Sequence, residues 1–447
     1  MASKSKAARA QQSKNDKKIN FYLVAIPAIA FFIKLITMAN IRGTDGSFLG
    51  GWLGADGENY LSGVDGLLAQ GYLSDKSILS YWPAGYPILI WLLTFVSLKY
   101  VIALISFSQS IFYAYASYYF VKQLRGTRLQ PYMFLIGLAL AFNPTLSLSS
   151  LAVGYESPIA ACMLMVVGLI IKSKQSPHDR AFVLRVVSAG FFSALASFMQ
   201  PRWVLTTIVI AFVWALMHKS RKAQALIVAG VIGIMAIAPA IMIQRNIASI
   251  DKAIISTNIT AALRIGTGPD TSGGYKHTGS NIECIPKNGS EPTDNEFLAC
   301  AFRWYLTNPL KTTELAWNKT LYFWSPWSGP LVNGTMARNP WLKINPISDI
   351  AKNSESGNRL VYGLLGKIIS WIWLLGGLFL LFFGFFKLFK KGDLEKYFGV
   401  LLLLPIIASW FSAIVTIGDH RFRIPTMPMS ISLQIIGIRM LQEKIFK

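Results

Sequence analysis

The chain has 447 residues, 53% of them hydrophobic and only 14% charged. Apolar stretches of about 20 residues recur along its length, each long enough to cross a bilayer as a helix, which excludes a soluble globular protein. The formal net charge of +22 does not point to nucleic acid, because the basic clusters fall in every second gap between apolar runs, as the positive-inside rule demands.

In chain order, residues 1–19, which open MASKSKAARAQQSKNDKK, are basic and polar and read as a disordered cytoplasmic tail. The run NFYLVAIPAIAFFIKLITM has no small-residue cleavage site and reads as a signal anchor. Further basic clusters stand at Lys122/Arg125/Arg128, Lys172/Lys174/Arg180, Lys219/Arg221/Lys222, Lys387/Lys390/Lys391 and Lys444/Lys447. Taking them as cytoplasmic gives about ten spans with both termini in the cytoplasm. They lie at 20–39, 99–121, 131–146, 150–171, 181–200, 203–217, 224–244, 361–387, 396–416 and 425–441. The third and sixth are short, and 87–97 is too short to span and reads as interfacial.

The spacing divides the chain into a membrane module over 20–246, an exoplasmic loop region over 247–360 and closing membrane helices over 361–447. A first outer loop, 40–98, lies inside the membrane module. The 247–360 region carries Gly, Pro and Asn clusters and a helix near 294–307. Cys284 and Cys300 both fall in it, on the oxidising side, and read as a disulfide, with two free thiols as the alternative. Cys162, in an apolar helix, reads as packing.

Ionisable groups beside a bilayer are costly and mark function. Lys34, Asp56, Glu58, Asp65, Glu156, Arg202, Arg245, Asp419, Arg421 and Arg423 all fall at outer ends of spans or in the first outer loop. A carboxylate there can act as general base on a hydroxyl. Guanidinium groups can hold a phosphate through paired N–H donors. Together they suggest transfer from a lipid phosphate. Each has a plainer reading: Lys34 snorkelling, Asp56 and Glu58 in a solvated turn between Gly54 and Gly57, Asp65 facing water, Glu156 capping a helix, the arginines on lipid headgroups. No Walker loop, dinucleotide fingerprint or Cys/His cluster occurs, so nucleotide hydrolysis is not expected.

Five segments resemble the GT-C glycosyltransferases, in the branch of dolichyl-phosphate-mannose protein mannosyltransferases and bacterial lipid A aminoarabinose transferases. They are DGENYLSGVDGLLAQGYLSD, YWPAGYPILIWLL, NPTLSLSSLAVGYESP, APAIMIQRNIASIDKAIISTN and DHRFRIPTMP. The resemblance implies an all-α polytopic fold with an outward-facing site and interfacial helices. It implies a polyprenyl-phosphate-sugar donor, with mannose as the default sugar, and a glycan, lipid or protein hydroxyl as acceptor. It implies inversion at the anomeric carbon. By the same resemblance Asp56 is the catalytic base, Glu58 and Glu156 are acceptor, supporting or metal candidates, and Arg245, then Arg421 and Arg423, and last Arg202, are phosphate candidates; Lys34 joins them by its place near the outer end of the first span. A divalent metal is possible, and Gly57, which separates Asp56 from Glu58, departs from the branch's adjacent pair. A bacterial plasma membrane is favoured over the endoplasmic reticulum. The rival reading is a transporter or flippase for a lipid-linked sugar, which would place charge at the midplane and show inverted repeats.

Overall fold

A computed structural model describes residues 2–53, 56–175, 181–274, 282, 284, 292–324 and 364–445. Among them, seven helices are long and apolar enough to cross a membrane: Lys18–Asn40, Val101–Gln123, Glu156–Lys174, Ala181–Met199, Arg221–Ile250, Leu394–Val415 and Arg421–Glu443. Four shorter apolar helices accompany them: Gly85–Thr94, Gln130–Phe142, Trp203–Leu216 and Leu374–Phe389. The protein is an all-α polytopic membrane protein.

The bundle is built around α8 (Glu156–Gln175). The membrane window of this helix is 94% buried, so it faces protein on every side. It packs between α5 (Val101–Gln123) and α9 (Ala181–Met199). On α9 lies α11 (Arg221–Ile250), which also receives α10 (Trp203–Leu216). The closing helices α15 (Leu364–Phe389), α16 (Asp393–Val415) and α17 (Met427–Ile445) pack mutually, and α16 touches α10. At the other edge, α1 (Ala2–Asn40) leans on α5 and on α6 (Met133–Phe142). Phe21, Phe32, Leu184, Phe191 and Phe379 are exposed on the outside, which is the surface a bilayer would cover.

Several boundaries differ from the sequence reading. The polar tail expected to be disordered is drawn into α1, which starts at Ala2; its Ala, Lys, Arg and Gln are strong helix formers. The expected span 131–146 breaks at Asn143, because the residue before a proline is pushed to extended geometry. Asn143 then caps a new short helix, α7 (Pro144–Ser149), by accepting from Leu146 N. The span expected from 150 begins only at Glu156, because residues 152–153 form a strand. The segment expected along the interface forms α4 (Gly85–Thr94), which packs on α5 with Tyr86, Ile88 and Ile90 buried.

The loop region expected over 247–360 contains α12 (Asn258–Gly266), α13 (Asp294–Thr307) and α14 (Pro309–Trp324). Thr293 and Glu296 form a capping box at the start of α13, each satisfying a backbone N–H of the other's turn. Cys284 and Cys300 are joined by a disulfide, Cα to Cα 5.7 Å. Residues 325–360, and the start of the expected span at 361, lie outside the described residues.

Candidate active site

Two short parallel strands assemble the site. Strand β1 (Trp52–Leu53) pairs with β2 (Ala152–Val153), and the register sets Leu53 opposite Val153. The pair needs a close approach, which Gly51 permits: a Cβ there would lie 2.0 Å from Ser106 Oγ and 3.0 Å from Leu151 O. Ser106 in turn donates to Leu151 O, tying both strands to α5. Asp56 stands three residues beyond Leu53, and Glu156 three beyond Val153. Asp56 opens α2 (Gly57–Gln70), and Glu156 opens α8. Gly57 is buried against Val153, where a Cβ would meet the valine Cβ at 3.3 Å; this contact accounts for the glycine between Asp56 and Glu58.

The third member arrives from the far end of the chain. A 3-10 turn, His420–Thr426, leads into α17 and packs on α8. Asp419 caps this turn by accepting from Arg421 N at 2.9 Å, which fixes the backbone from which Arg421 projects. Arg421 Nη2 then lies 2.5 Å from Asp56 Oδ2, and its Nε donates to Glu156 Oε1 at 2.9 Å. Side-chain exposure is 14% for Asp56, 13% for Arg421 and 3% for Glu156. One buried guanidinium therefore balances two carboxylates in a poorly solvated place, where charge pairing is strongest.

A tyrosine wall backs this triad. Tyr60, one turn after Asp56, packs edge-on against Tyr86 and Tyr155, with ring centroids at 5.0 and 6.2 Å. Tyr86 OH accepts from Gly154 N and from Gln109 Nε2, and Gln200 donates to Tyr155 OH. Burial pushes the Tyr60 and Tyr155 phenols up, so both stay protonated across the physiological range. Two buried polar atoms of the cluster, Glu156 Oε2 and Tyr60 OH, make no hydrogen bond to described residues.

Beside the triad opens a cavity of about 260 Å³. Arg421, Arg202, Tyr155, Trp82, Asn258 and Asp419 are among its lining residues. Arg202 is stacked on Phe422, guanidinium to ring centroid 3.9 Å, and among the described residues it makes no hydrogen bond or ion pair. Its planar fork is therefore available to an anion in the cavity.

The remaining sequence candidates lie elsewhere or in other roles. Arg245 is almost fully buried, but its Nε donates to Tyr72 O at 3.1 Å, its Nη2 to Ser74 O and its Nη1 to Asn246 Oδ1 at 2.7 Å. The guanidinium is committed to the turn after α2, and Arg245 does not line the cavity. Arg423 lies over the Trp324 ring at 5.7 Å. Lys34 is buried under the Tyr113 ring at 4.8 Å, away from the triad. Glu58 and Asp65 are exposed on α2. Among the described residues no three His, Cys, Asp or Glu side chains gather to hold a metal. A cation bridging Asp56 and Glu156 would have to displace Arg421, which already occupies that position. The sequence reading overlooked Tyr60, Tyr155, Trp82 and Phe422. Each sits within or beside a segment that carries the resemblance, and aromatic residues beside a charged motif were the available signal.

No family model matches the chain, and no curated protein matches it in sequence. Solved structures do match. The Archaeoglobus fulgidus oligosaccharyltransferase in complex with Zn and sulfate has a TM-score of 0.51 at 13% identity, with 94% of this chain and 49% of that chain covered. The same enzyme tethered to an acceptor peptide containing the NVT sequon has a TM-score of 0.50 at 12% identity, with 95% of this chain and 50% of that chain covered. The chain thus spans about half the length of the oligosaccharyltransferase, and the likeness is one of fold alone: this chain shares the arrangement of membrane helices of that structure.

Proposed function

We propose that the protein is a membrane glycosyltransferase that moves a sugar from a polyprenyl-phosphate donor to a hydroxyl acceptor at the outer membrane face, with inversion. One observation carries this reading: Asp56 and Glu156 share Arg421 at the edge of a cavity that also holds Arg202, which makes no hydrogen bond among the described residues. A base and a phosphate-binding fork stand within one site, as transfer from a lipid phosphate requires. The GT-C fold, and the acceptor peptide held by the oligosaccharyltransferase of the same fold, support transfer to an external acceptor.

In the proposed reaction the donor phosphate lies between Arg202 and Arg421. Its charge competes for the Arg421 guanidinium and loosens the hold on Asp56, which then takes the acceptor's proton. The acceptor oxygen attacks the anomeric carbon as the carbon–oxygen bond to phosphate breaks, and polyprenyl phosphate leaves with the bonding electron pair. Charge grows on that phosphate in the transition state, where the two fixed guanidiniums stabilise it most. Glu156 keeps Arg421 in place throughout. Arg202 and Arg421 are preferred here to Arg245, whose Nε, Nη1 and Nη2 each already donate to a protein oxygen and which does not line the cavity. Mannose is the default sugar by the resemblance to the mannosyltransferase branch.

The test is incubation of the purified protein with a panel of polyprenyl-phosphate sugars and acceptors, scoring released polyprenyl phosphate. Release with one sugar, abolished in Asp56→Asn, is the expected result. Movement of intact lipid-linked sugar across a vesicle membrane without release would establish the transporter reading instead.

A further inference from the structure

A second concavity lies on the other side of the bundle, between α1, α5 and α6, and shares no residue with the cavity beside Asp56. Its volume is about 480 Å³, within the range of small-molecule sites. Leu23, Ile26, Pro27, Val121, Met133 and Gly137 make its walls apolar. Gly137 leaves the floor open: a Cβ there would find only Val121, at 3.6 Å.

The two ends of this groove differ in polarity. At one end Tyr22 and Tyr118 line it, and each carries a lysine on its ring: Lys18 Nζ lies 5.9 Å from the Tyr22 centroid, and Lys122 Nζ 5.4 Å from the Tyr118 centroid. Arg125 is beside them, donating to Asn20 Oδ1 at 2.6 Å. Among the described residues neither lysine is paired with a carboxylate. Toward the other end, beyond Pro27, Ser117 and Ala141, the groove narrows to a cavity of about 10 Å³ beside Lys34. That is room for one water and not for a headgroup.

We propose that this groove binds one acyl chain of an anionic phospholipid, whose phosphate is held by Lys18 and Lys122. The apolar walls match a hydrocarbon chain, and the ammonium groups of Lys18 and Lys122, which pair with no carboxylate among the described residues, match a phosphate; basic pockets between membrane helices recognise lipid headgroups in this way. An apolar partner helix would leave the ammonium groups of Lys18 and Lys122 without the counter-charge that a lipid phosphate supplies. The Lys18 end is also the end of the bundle that carries Lys172, Lys174, Lys219 and Arg221, opposite the Asp56 site, so the lipid belongs to the other leaflet from the proposed donor.

The full chain in mild detergent, titrated with phosphatidylglycerol or phosphatidylcholine of the same acyl chains and observed by native mass spectrometry, tests the site. Phosphatidylglycerol should be retained roughly tenfold more tightly. The double substitution Lys18→Gln/Lys122→Gln, at two exposed positions, should remove that preference. Gly137→Leu, which fills the groove, should weaken both lipids, and the melting temperature without added lipid reports that each variant is folded. Equal retention of the two lipids by the unaltered chain, or an undiminished preference in the double variant, overturns the proposal. So does inorganic phosphate competing as well as the lipid does, because the acyl chain would then contribute nothing.

Discussion

Asp56 and Glu156 are side by side because each stands three residues beyond its member of a parallel strand pair, Leu53 opposite Val153. The pair is only two residues long in each strand, yet it aligns the first turns of α2 and α8. Arg421 then holds one oxygen of each carboxylate, Asp56 Oδ2 and Glu156 Oε1.

The shared arginine is the first thing to alter. Arg421→Gln leaves two carboxylates without a counter-charge, and breaking a buried pair in this way costs about 3–5 kcal/mol. Arg421→Lys should be better tolerated in folding, because it keeps the charge. It should still lose transfer, because a point charge cannot serve two carboxylates and a phosphate as a planar fork does. Thermal unfolding and polyprenyl phosphate release, measured on both variants, separate the two effects. Wild-type turnover in Arg421→Lys would remove the bidentate role.

Asp56→Asn keeps the size of the side chain and its bond to Arg421 but cannot accept a proton. Turnover should fall by on the order of 10²–10⁴, while donor binding is retained. Glu58→Gln, at an exposed position on the same helix, should stay close to normal. The reverse ranking would make Glu58 the base.

Arg202 and Arg245 should separate cleanly. Arg202→Ala removes a fork that lines the cavity, so donor KM should rise with little change in melting temperature. Arg245→Ala strips donors from Tyr72 O, Ser74 O and Asn246 Oδ1 and should destabilise by roughly 2–3 kcal/mol, while the folded fraction keeps its donor affinity. A donor-binding defect in folded Arg245→Ala would return that residue to the site.

The disulfide closes a loop with a sequence separation of 16, which corresponds to about 3 kcal/mol in the chain-entropy account. Cys284→Ser/Cys300→Ser should loosen α13 with little effect on the membrane bundle. Protease cleavage near residue 290, faster in the double variant than in the parent, is the readout. Equal rates would show that the bridge constrains nothing.

Lys319 lies buried in α14, donating to Tyr305 OH and Ile414 O at 3.0 Å each. Burial pushes its ammonium from 10.5 down to about 7. Below pH 7 both folded and unfolded forms carry the proton, and the cost of burying the charge is present in full. Between about 7 and 10.5 the unfolded form keeps a proton that the folded form has released, so stability rises with pH. Hydrogen exchange of the α14 amides, corrected for intrinsic rate, should show protection growing from pH 7 to pH 9. Lys319→Met should flatten that rise.

The sequence by itself determined the membrane class, the α-helical architecture and the end of the bundle where the ionisable groups gather. These follow from apolar run length and the alternation of basic clusters, which are local properties. The helix at 294–307 was legible because its cap is written in neighbouring residues, Thr293 and Glu296. Span ends at 143 and 156 were not legible, because a proline break and a strand interrupt runs that hydropathy alone would continue. Only the tertiary structure decided which charges meet. Arg245 and Arg421 look alike in sequence, each at the end of a span on the side expected to face outward. One is spent on backbone carbonyls close by in space, and the other reaches across 265 residues to Glu156 and 365 to Asp56. Which donors a guanidinium has left over depends on its packed neighbours, and no local pattern encodes them.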